Sequence, residues 1–187
     1  MAFLLWLMLL CPACQAVEEM ETIDEVKVDK YKRPATFILK GTLLKLDRKL
    51  QKDFYLLDDA FVIEQMPFYL NKKKYIWLVV KIPSKPKSLG QGYCGAGTED
   101  YLYMVEYDGA KLTYVDRFLV RSCLNNIEVG HGEDLQKKHI KVVTADRAVQ
   151  FTQHRFEHSK ELIKQVTLIP TPRKILPQII KQPVQQK

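Results

Sequence analysis

The sequence predicts a mainly β protein: an antiparallel sandwich or small barrel with one disulfide-closed hairpin and at most a short helix. Three observations carry this. The apolar runs are short and rich in β-branched and aromatic residues. Turn-forming residues punctuate them, and helical periodicity is scarce. Hydrophobic residues make up 47% of the 187, which excludes a disordered chain and allows one good core.

In chain order, Val17 to Arg33 is polar and acidic, then mixed, and reads as a loosely held lead-in. Thr36 to Leu46 reads as one strand with Gly41 as a bulge. Phe54 to Leu57 and Phe61 to Glu64 read as strand material around Asp58-Asp59. Tyr75 to Ile82 is almost continuously apolar, as expected of a central strand; Pro83 and Pro86 end it and open a basic loop. The long hairpin follows, then a polar loop from Asn125 to Asp134. Ile140 to Thr144 and Ala148 to Thr152 form a second predicted hairpin around Asp146-Arg147. Phe156 to Lys164 reads as the short helix and Gln165 to Ile169 as a last strand. Beyond Pro170 the chain carries four prolines and four basic residues, counting Pro170, and is expected to pack poorly and be extended or disordered. The predicted organisation is therefore a signal segment 1–16, a lead-in 17–33, one β domain 34–169 and a basic tail 170–187.

The long hairpin rests on a register argument. Asp108-Gly109 is a strong two-residue turn signal between Tyr101–Tyr107 and Leu112–Val120. That turn sets Glu106 opposite Lys111, Asp100 opposite Arg117, Tyr103 opposite Tyr114 and Leu102 opposite Val115. Extended outward, it sets Cys94 opposite Cys123 as a non-hydrogen-bonded pair, with Cα atoms about 4.5 Å apart, within disulfide reach. A bulge or bend in Gly95-Ala96-Gly97 would shift this outer register by a residue.

The N-terminus sets the compartment. Phe3 to Leu10 is an apolar run too short to span a membrane but right for a signal-peptide core. Cys14 and Ala16 are the small residues a signal peptidase inspects, so cleavage is expected after Ala16. Acylation of Cys11 or Cys14 is the competing reading, disfavoured by bulky Leu9 and Leu10 and by Pro12. Of four cysteines, Cys94 and Cys123 would remain after cleavage. An even count in an oxidising compartment reads as one disulfide, worth about 3–4 kcal/mol for a loop of this length.

The formal net charge is +7 and it is uneven. From Lys72 to Lys87 there are six lysines and no acid: Lys72, Lys73, Lys74, Lys81, Lys85 and Lys87. An exported basic protein meets anionic envelope surfaces or acidic proteins more often than nucleic acid, so these lysines are the predicted partner-binding residues.

Candidate chemistry is sparse. His154-Arg155-Phe156-Glu157-His158 matches the His-x-x-Glu-His form of inverted zinc peptidases, in which a helix puts both histidines on one face. Such enzymes need a further ligand, and Glu161 is the only acid after His158. His154 and His158 therefore stand as an adventitious metal pair rather than a catalytic one. His131, Glu133, Asp134 and His139 form a polar loop cluster. Cys94 as a nucleophile would need a low-pKa thiolate, against the disulfide reading. The glycines around Cys94 precede a strand, not the helix N-terminus of a phosphate loop. There is no Gly-x-Ser-x-Gly motif, no P-loop and no cofactor motif. Tyr101, Tyr103, Tyr107 and Tyr114 are a ligand platform or, at strand spacing, packed sheet residues.

The block Gly92-Tyr93-Cys94-Gly95-Ala96-Gly97-Thr98-Glu99-Asp100-Tyr101-Leu102, followed by Asp116-Arg117-Phe118-Leu119-Val120 and Ser122-Cys123-Leu124, resembles a block in small exported bacterial proteins of undetermined function. The resemblance implies a bacterial periplasmic setting and a disulfide-pinned β domain. By class analogy it implies an inhibitor or immunity role, and it brings no catalytic residues. The expected function is a non-enzymatic periplasmic binding module facing a protein or an anionic envelope component. The alternatives are an envelope-associated structural protein and a metal-binding hydrolase using His154 and His158.

Overall fold

The computed structural model describes residues 26–29, 32–39, 41–63, 67–84, 97–129, 135–143, 145–157 and 160–181. Strand β1 (Val26–Asp29) pairs antiparallel with β2 (Thr36–Leu39), and β2 with β3 (Thr42–Leu46). Gly41 has φ +78°, a left-handed conformation that costs glycine little, so the chain reverses there. Thr36 to Leu46 is thus a tight hairpin, not the single bulged strand the sequence predicts. The predicted lead-in also contributes a strand: β1.

Helix α1 (Arg48–Asp53) follows, capped by Asp47, whose Oδ1 accepts the Leu50 N–H at 2.8 Å. A 3-10 turn over Phe54–Leu56 continues it, where the sequence suggests strand. Two residues explain the difference: Leu50 and Phe54 fall on one helical face and are fully buried, which a pattern of period two does not detect.

Next come β4 (Asp59–Val62), β5 (Phe68–Leu70) and β6 (Lys73–Pro83). Both β4 and β5 pair with β6 along one edge. As expected, β6 is central, with Tyr75 through Val80 all buried. Its alternate residues serve two cores. Ile76, Leu78 and Val80 pack with Phe37, Leu44, Leu50 and Phe54 from β2, β3 and the helical segment. Tyr75, Trp77 and Val79 pack with Phe68 and with residues from the C-terminal strands, among them Val149, Phe151, Val166 and Leu168. Burial on both faces explains why this strand reads as a continuous apolar run.

β7 (Thr98–Tyr107) takes the other edge of β6, and β8 (Lys111–Ser122) pairs with β7. The outer edge of β8 is shared. Its first residues pair in parallel with β3, Lys45 against Lys111 and Leu46 against Leu112. Its last residue, Ser122, pairs with Ile127 of β9 (Ile127–Glu128). Between these ends, buried Gln153 supplies the missing partner: its Nε2 donates to the Leu119 and Val120 carbonyls at 3.0 and 2.8 Å. Such a use keeps a buried amide satisfied.

The C-terminal strands are β10 (Lys141–Val143), β11 (Ala148–Glu157), β12 (Lys160–Pro170) and β13 (Ile175–Lys181). β11 pairs with β9 and β10 on one edge and β12 on the other; β12 pairs with β13. The predicted β10–β11 hairpin is present. Where the sequence predicts a helix over Phe156–Lys164 the described residues are strand: Phe156 and Glu157 end β11 and Lys160 to Lys164 begin β12, with Phe156 opposite Glu161. Nor is β12 the last strand: beyond Pro170 the chain forms β13, which pairs with β12, setting Ile179 opposite Val166 and Pro177 opposite Leu168. Pro177 is tolerated there because an edge strand has one edge free of ladder bonds. The strand path runs from β1 to β13 without closing, which removes the barrel alternative. Apart from the short β3–β8 contact the pairing is antiparallel, and α1 is the one α-helix among the described residues.

Candidate functional site

The site is built by a register shift. Asp108-Gly109 is not the tip of the turn. The Asp108 N–H donates to the Lys111 carbonyl at 3.3 Å and Tyr107 pairs with Leu112, so the two residues at the tip are Gly109-Ala110. Asp108 Oδ1 accepts the N–H groups of Ala110 and Lys111 at 3.0 and 2.7 Å, and an aspartate bonded to the amides that follow it favours the turn one residue later than predicted. Two irregularities then shift the ladder, between Met104 and Val105 and between Asp100 and Tyr101. Val115 and Val120 are the extra residues on β8. The predicted pairs are accordingly corrected. Tyr103 faces Arg117 rather than Tyr114, Leu102 faces Phe118, Asp100 faces Arg121 and Glu106 faces Thr113.

The bulge at Val115 changes which face Arg117 occupies. In regular alternation from Leu112, residue 117 would point to the opposite face. With one residue inserted, Arg117 joins Leu112 and Tyr114 on the face of Tyr101, Tyr103 and Tyr107. This is the face covered by α1.

There the Arg117 Nη1 donates to the Tyr103 hydroxyl at 2.7 Å and to Asp53 Oδ2 at 3.1 Å. Tyr103 donates to the same Asp53 oxygen at 3.2 Å. Lys49, one helical turn before Asp53, bonds both its carboxylate oxygens at 2.7 and 2.6 Å. The guanidinium lies over the Tyr101 ring, 4.5 Å from its centroid, and Lys49 Nζ lies 5.1 Å from the Tyr114 centroid. Tyr103 is fully buried, edge-on to Phe54 at 5.2 Å and to Tyr114 at 6.1 Å. The Asp53 side chain is 9% exposed and that of Arg117 32% exposed.

Burial raises the pKa of the Tyr103 hydroxyl well above 10; the Arg117 charge opposes this and Asp53 adds to it. Burial also raises Tyr101 and Tyr114. For Arg117, burial works against the charge, but the Tyr103 bond and the Asp53 charge outweigh it. The guanidinium is a fixed, permanent cation. Tyr103 has no exposure with which to reach a substrate, and Asp53 accepts from three donors. What the cluster offers is a held cation between tyrosine rings.

The predicted lysines do not form one patch. Lys72 sits in the β5–β6 turn with φ +65°, beside Asn71 at φ +49°. Lys73 is paired with Glu106 at 2.9 Å, which raises its pKa. Lys74 lies 6.0 Å from the Tyr69 ring. Lys81, at the far end of β6, is flanked by Asp59 and Asp100 in the ladder. Lys81 lies eight steps along the strand from Lys73, roughly 26 Å away. Lys85 and Lys87 lie outside the described residues.

Nor is the histidine motif helical. His154 is a buried residue of β11, its Nδ1 2.6 Å from Glu161 Oε1. His158 lies outside the described residues, as do His131, Glu133 and Asp134; the His139 ring accepts the Gln136 N–H at 3.1 Å. Among the described residues no three His, Cys, Asp or Glu side chains are grouped to hold a metal ion. Cys94 and the cleavage site at Ala16 also lie outside them. The Cys123 N–H donates to the Thr98 carbonyl at 3.3 Å, so the residue beside Cys123 across the ladder is Thr98. Beneath Thr98, Asp100 is fully buried, accepting from Thr98 Oγ1 at 3.0 Å and lying 3.6 Å from Arg121 Nη1.

Sequence reasoning found the tyrosines of the cluster and missed Asp53, Lys49 and Arg117. Asp47 followed by Arg48-Lys49-Leu50 is the signal that would have placed the helix, and with it Lys49 and Asp53. No helix among the described residues is long and apolar enough to cross a membrane. The chain matches no protein-family model, no curated protein and no solved structure in comparison.

Proposed function

We propose that this chain is an exported, non-enzymatic binding protein of inhibitor or immunity type, and that it meets its partner through the Arg117–Tyr101 face. The observation that carries the reading is the immobilised guanidinium. Arginine and tyrosine dominate binding hot spots, and a side chain already fixed by Tyr103, Asp53 and Tyr101 has less rotamer freedom to lose on contact. The net charge of +7, to which Lys72, Lys74 and Lys81 contribute, accelerates encounter with an acidic partner. Cleavage after Ala16 delivers the chain to the periplasm, and a Cys94–Cys123 disulfide pins the open end of the β7–β8 hairpin.

The test is capture from periplasmic extract by the immobilised mature protein, with Arg117→Ala and a Lys72→Glu/Lys74→Glu double variant as comparisons. A stoichiometric partner that Arg117→Ala loses while its melting temperature holds is the expected result. Full capture by Arg117→Ala moves the site elsewhere, and a turnover abolished by Cys94→Ser replaces the reading with an enzyme.

A second reading has its own observation. β13 leaves Leu176, Ile179 and Ile180 exposed, beside Arg173, Lys174 and Lys181. Apolar side chains among basic ones suit an envelope-associated protein resting on anionic lipid. Sedimentation with anionic vesicles, abolished by Ile179→Ser/Ile180→Ser, would favour it.

A further inference from the structure

We propose that the outer edge of the Arg117 guanidinium is a subsite for one carboxylate of an acidic protein partner; this deepens the binding reading above and rests on it.

A guanidinium carries five N–H donors in a planar fork. Two belong to Nη1, which serves Tyr103 and Asp53. The remaining three, on Nε and Nη2, have no partner among the described residues, and the side chain is 32% exposed. Nε–H together with one Nη2–H is the pair that a carboxylate accepts side-on. The plane is set before any ligand arrives, by the Nη1 bonds and by the Tyr101 ring 4.5 Å away. The cost of ordering the arginine has therefore been met in folding.

Charge selects the anion. Lys49 and Arg117 are positive and Asp53 is negative, and these three are bonded together. Within this trio one positive charge is left over, while the carboxylates of Asp47 and Asp116 are held on the Tyr114 and Arg117 N–H groups. A single carboxylate neutralises it; a dianionic phosphate would leave negative charge beside the 9%-exposed Asp53 side chain. The flanking rings favour a carboxylate carried on a side chain with apolar methylenes, such as glutamate, over a small free anion. Both sources share the carboxylate chemistry, and the experiment separates them.

The probes are a blocked tri-glutamate peptide, acetate and inorganic phosphate, titrated into the intact mature protein. The readouts are the Arg117 Nε–H resonance and the Kd. The peptide is expected to shift that resonance saturably, acetate more weakly and phosphate least. Arg117→Lys keeps the charge but loses the fork, so peptide affinity should fall about tenfold. Should Arg117→Lys fail to fold, Tyr101→Ala removes the stacking ring without touching the ion pairs and should weaken the peptide in the same direction. Three results would overturn the subsite: no shift at Arg117, equal affinity in the variants, or phosphate binding tighter at the same resonance. Acetate matching the peptide would make the ligand a free small carboxylate and overturn the protein-borne source. Peptide binding mapped to Lys72–Lys74 instead sinks the subsite alone, whereas wild-type failure to capture any partner from extract removes the binding reading itself.

Discussion

Asp47 holds Tyr114 by its backbone: Oδ2 accepts the Tyr114 N–H at 2.6 Å while Oδ1 caps α1 through Leu50. One carboxylate thus docks the helix onto the strand that carries Arg117, and the bulge at Val115 begins at the residue it holds.

Asp47→Ala should therefore cost more than an ordinary cap. The cap is worth about 1 kcal/mol. The second bond, charged and made to an amide at a bulge, adds about 1.5–3 kcal/mol. Chemical denaturation should show a loss of about 2.5–4 kcal/mol. Asp47→Asn keeps one acceptor and should recover part of it; a loss no larger than that of Lys52→Ala would refute the docking role.

Tyr103 predicts a pH dependence. Its folded pKa is raised above the ordinary value of 10.0, so the folded state holds the proton more tightly than the unfolded chain. The corresponding stability is fully present below pH 10 and is lost as pH rises beyond it. Unfolding free energy measured from pH 8 to 11.5 should stay level and then fall. In Tyr103→Phe the fall should be shallower, while the baseline drops by about 1–3 kcal/mol because Arg117 and Asp53 lose a shared partner. Equal slopes in the two proteins would remove Tyr103 from the alkaline transition.

The cysteines predict a stability difference and a mass. Mature protein should begin at Val17 and show no alkylatable thiol until reduced. Cys94→Ser with Cys123→Ser should lower stability by about 3–4 kcal/mol and leave partner capture intact under mild conditions. A lipid adduct or two free thiols in the exported protein would contradict the proposal.

β13 predicts a self-association phenotype. It ends the sheet with Leu176, Ile179 and Ile180 exposed, and Pro177 has no N–H to offer a further strand. Pro177→Val restores that donor within a β-prone run. Sedimentation velocity should show concentration-dependent oligomers for the variant and not for the wild type.

The fold was legible where one physical signal dominated. β6 announces itself because both of its faces are buried, and the β10–β11 hairpin because Asp146-Arg147 breaks two short apolar runs. α1 was not legible: six residues hold too few turns for a period of 3.6 to show against flanking strands. Phe156–Lys164 mixes polar and apolar residues densely enough to suit a helix, and only long-range pairing of β11 with β12 decides otherwise. β13 was hidden by its proline, which an edge position tolerates and a central one would not. Of the site, the tyrosines follow from aromatic strand composition. Arg117 does not, because the face it occupies depends on one inserted residue, Val115, and a bulge leaves no mark that local propensity can read.

Strand β8 has a consequence for how this chain can be divided. It pairs with β7 along its length on one edge, while β3, from earlier in the sequence, and β9, from later, hold the two ends of the other. There is consequently no seam between an N-terminal and a C-terminal half. A fragment ending before Lys111 strips β3 and β7 of their common neighbour, and a fragment starting after Ser122 leaves β11 with a Gln153 amide that has no carbonyls to cap. An exchange of either half would therefore have to rebuild the partners of β8 as well.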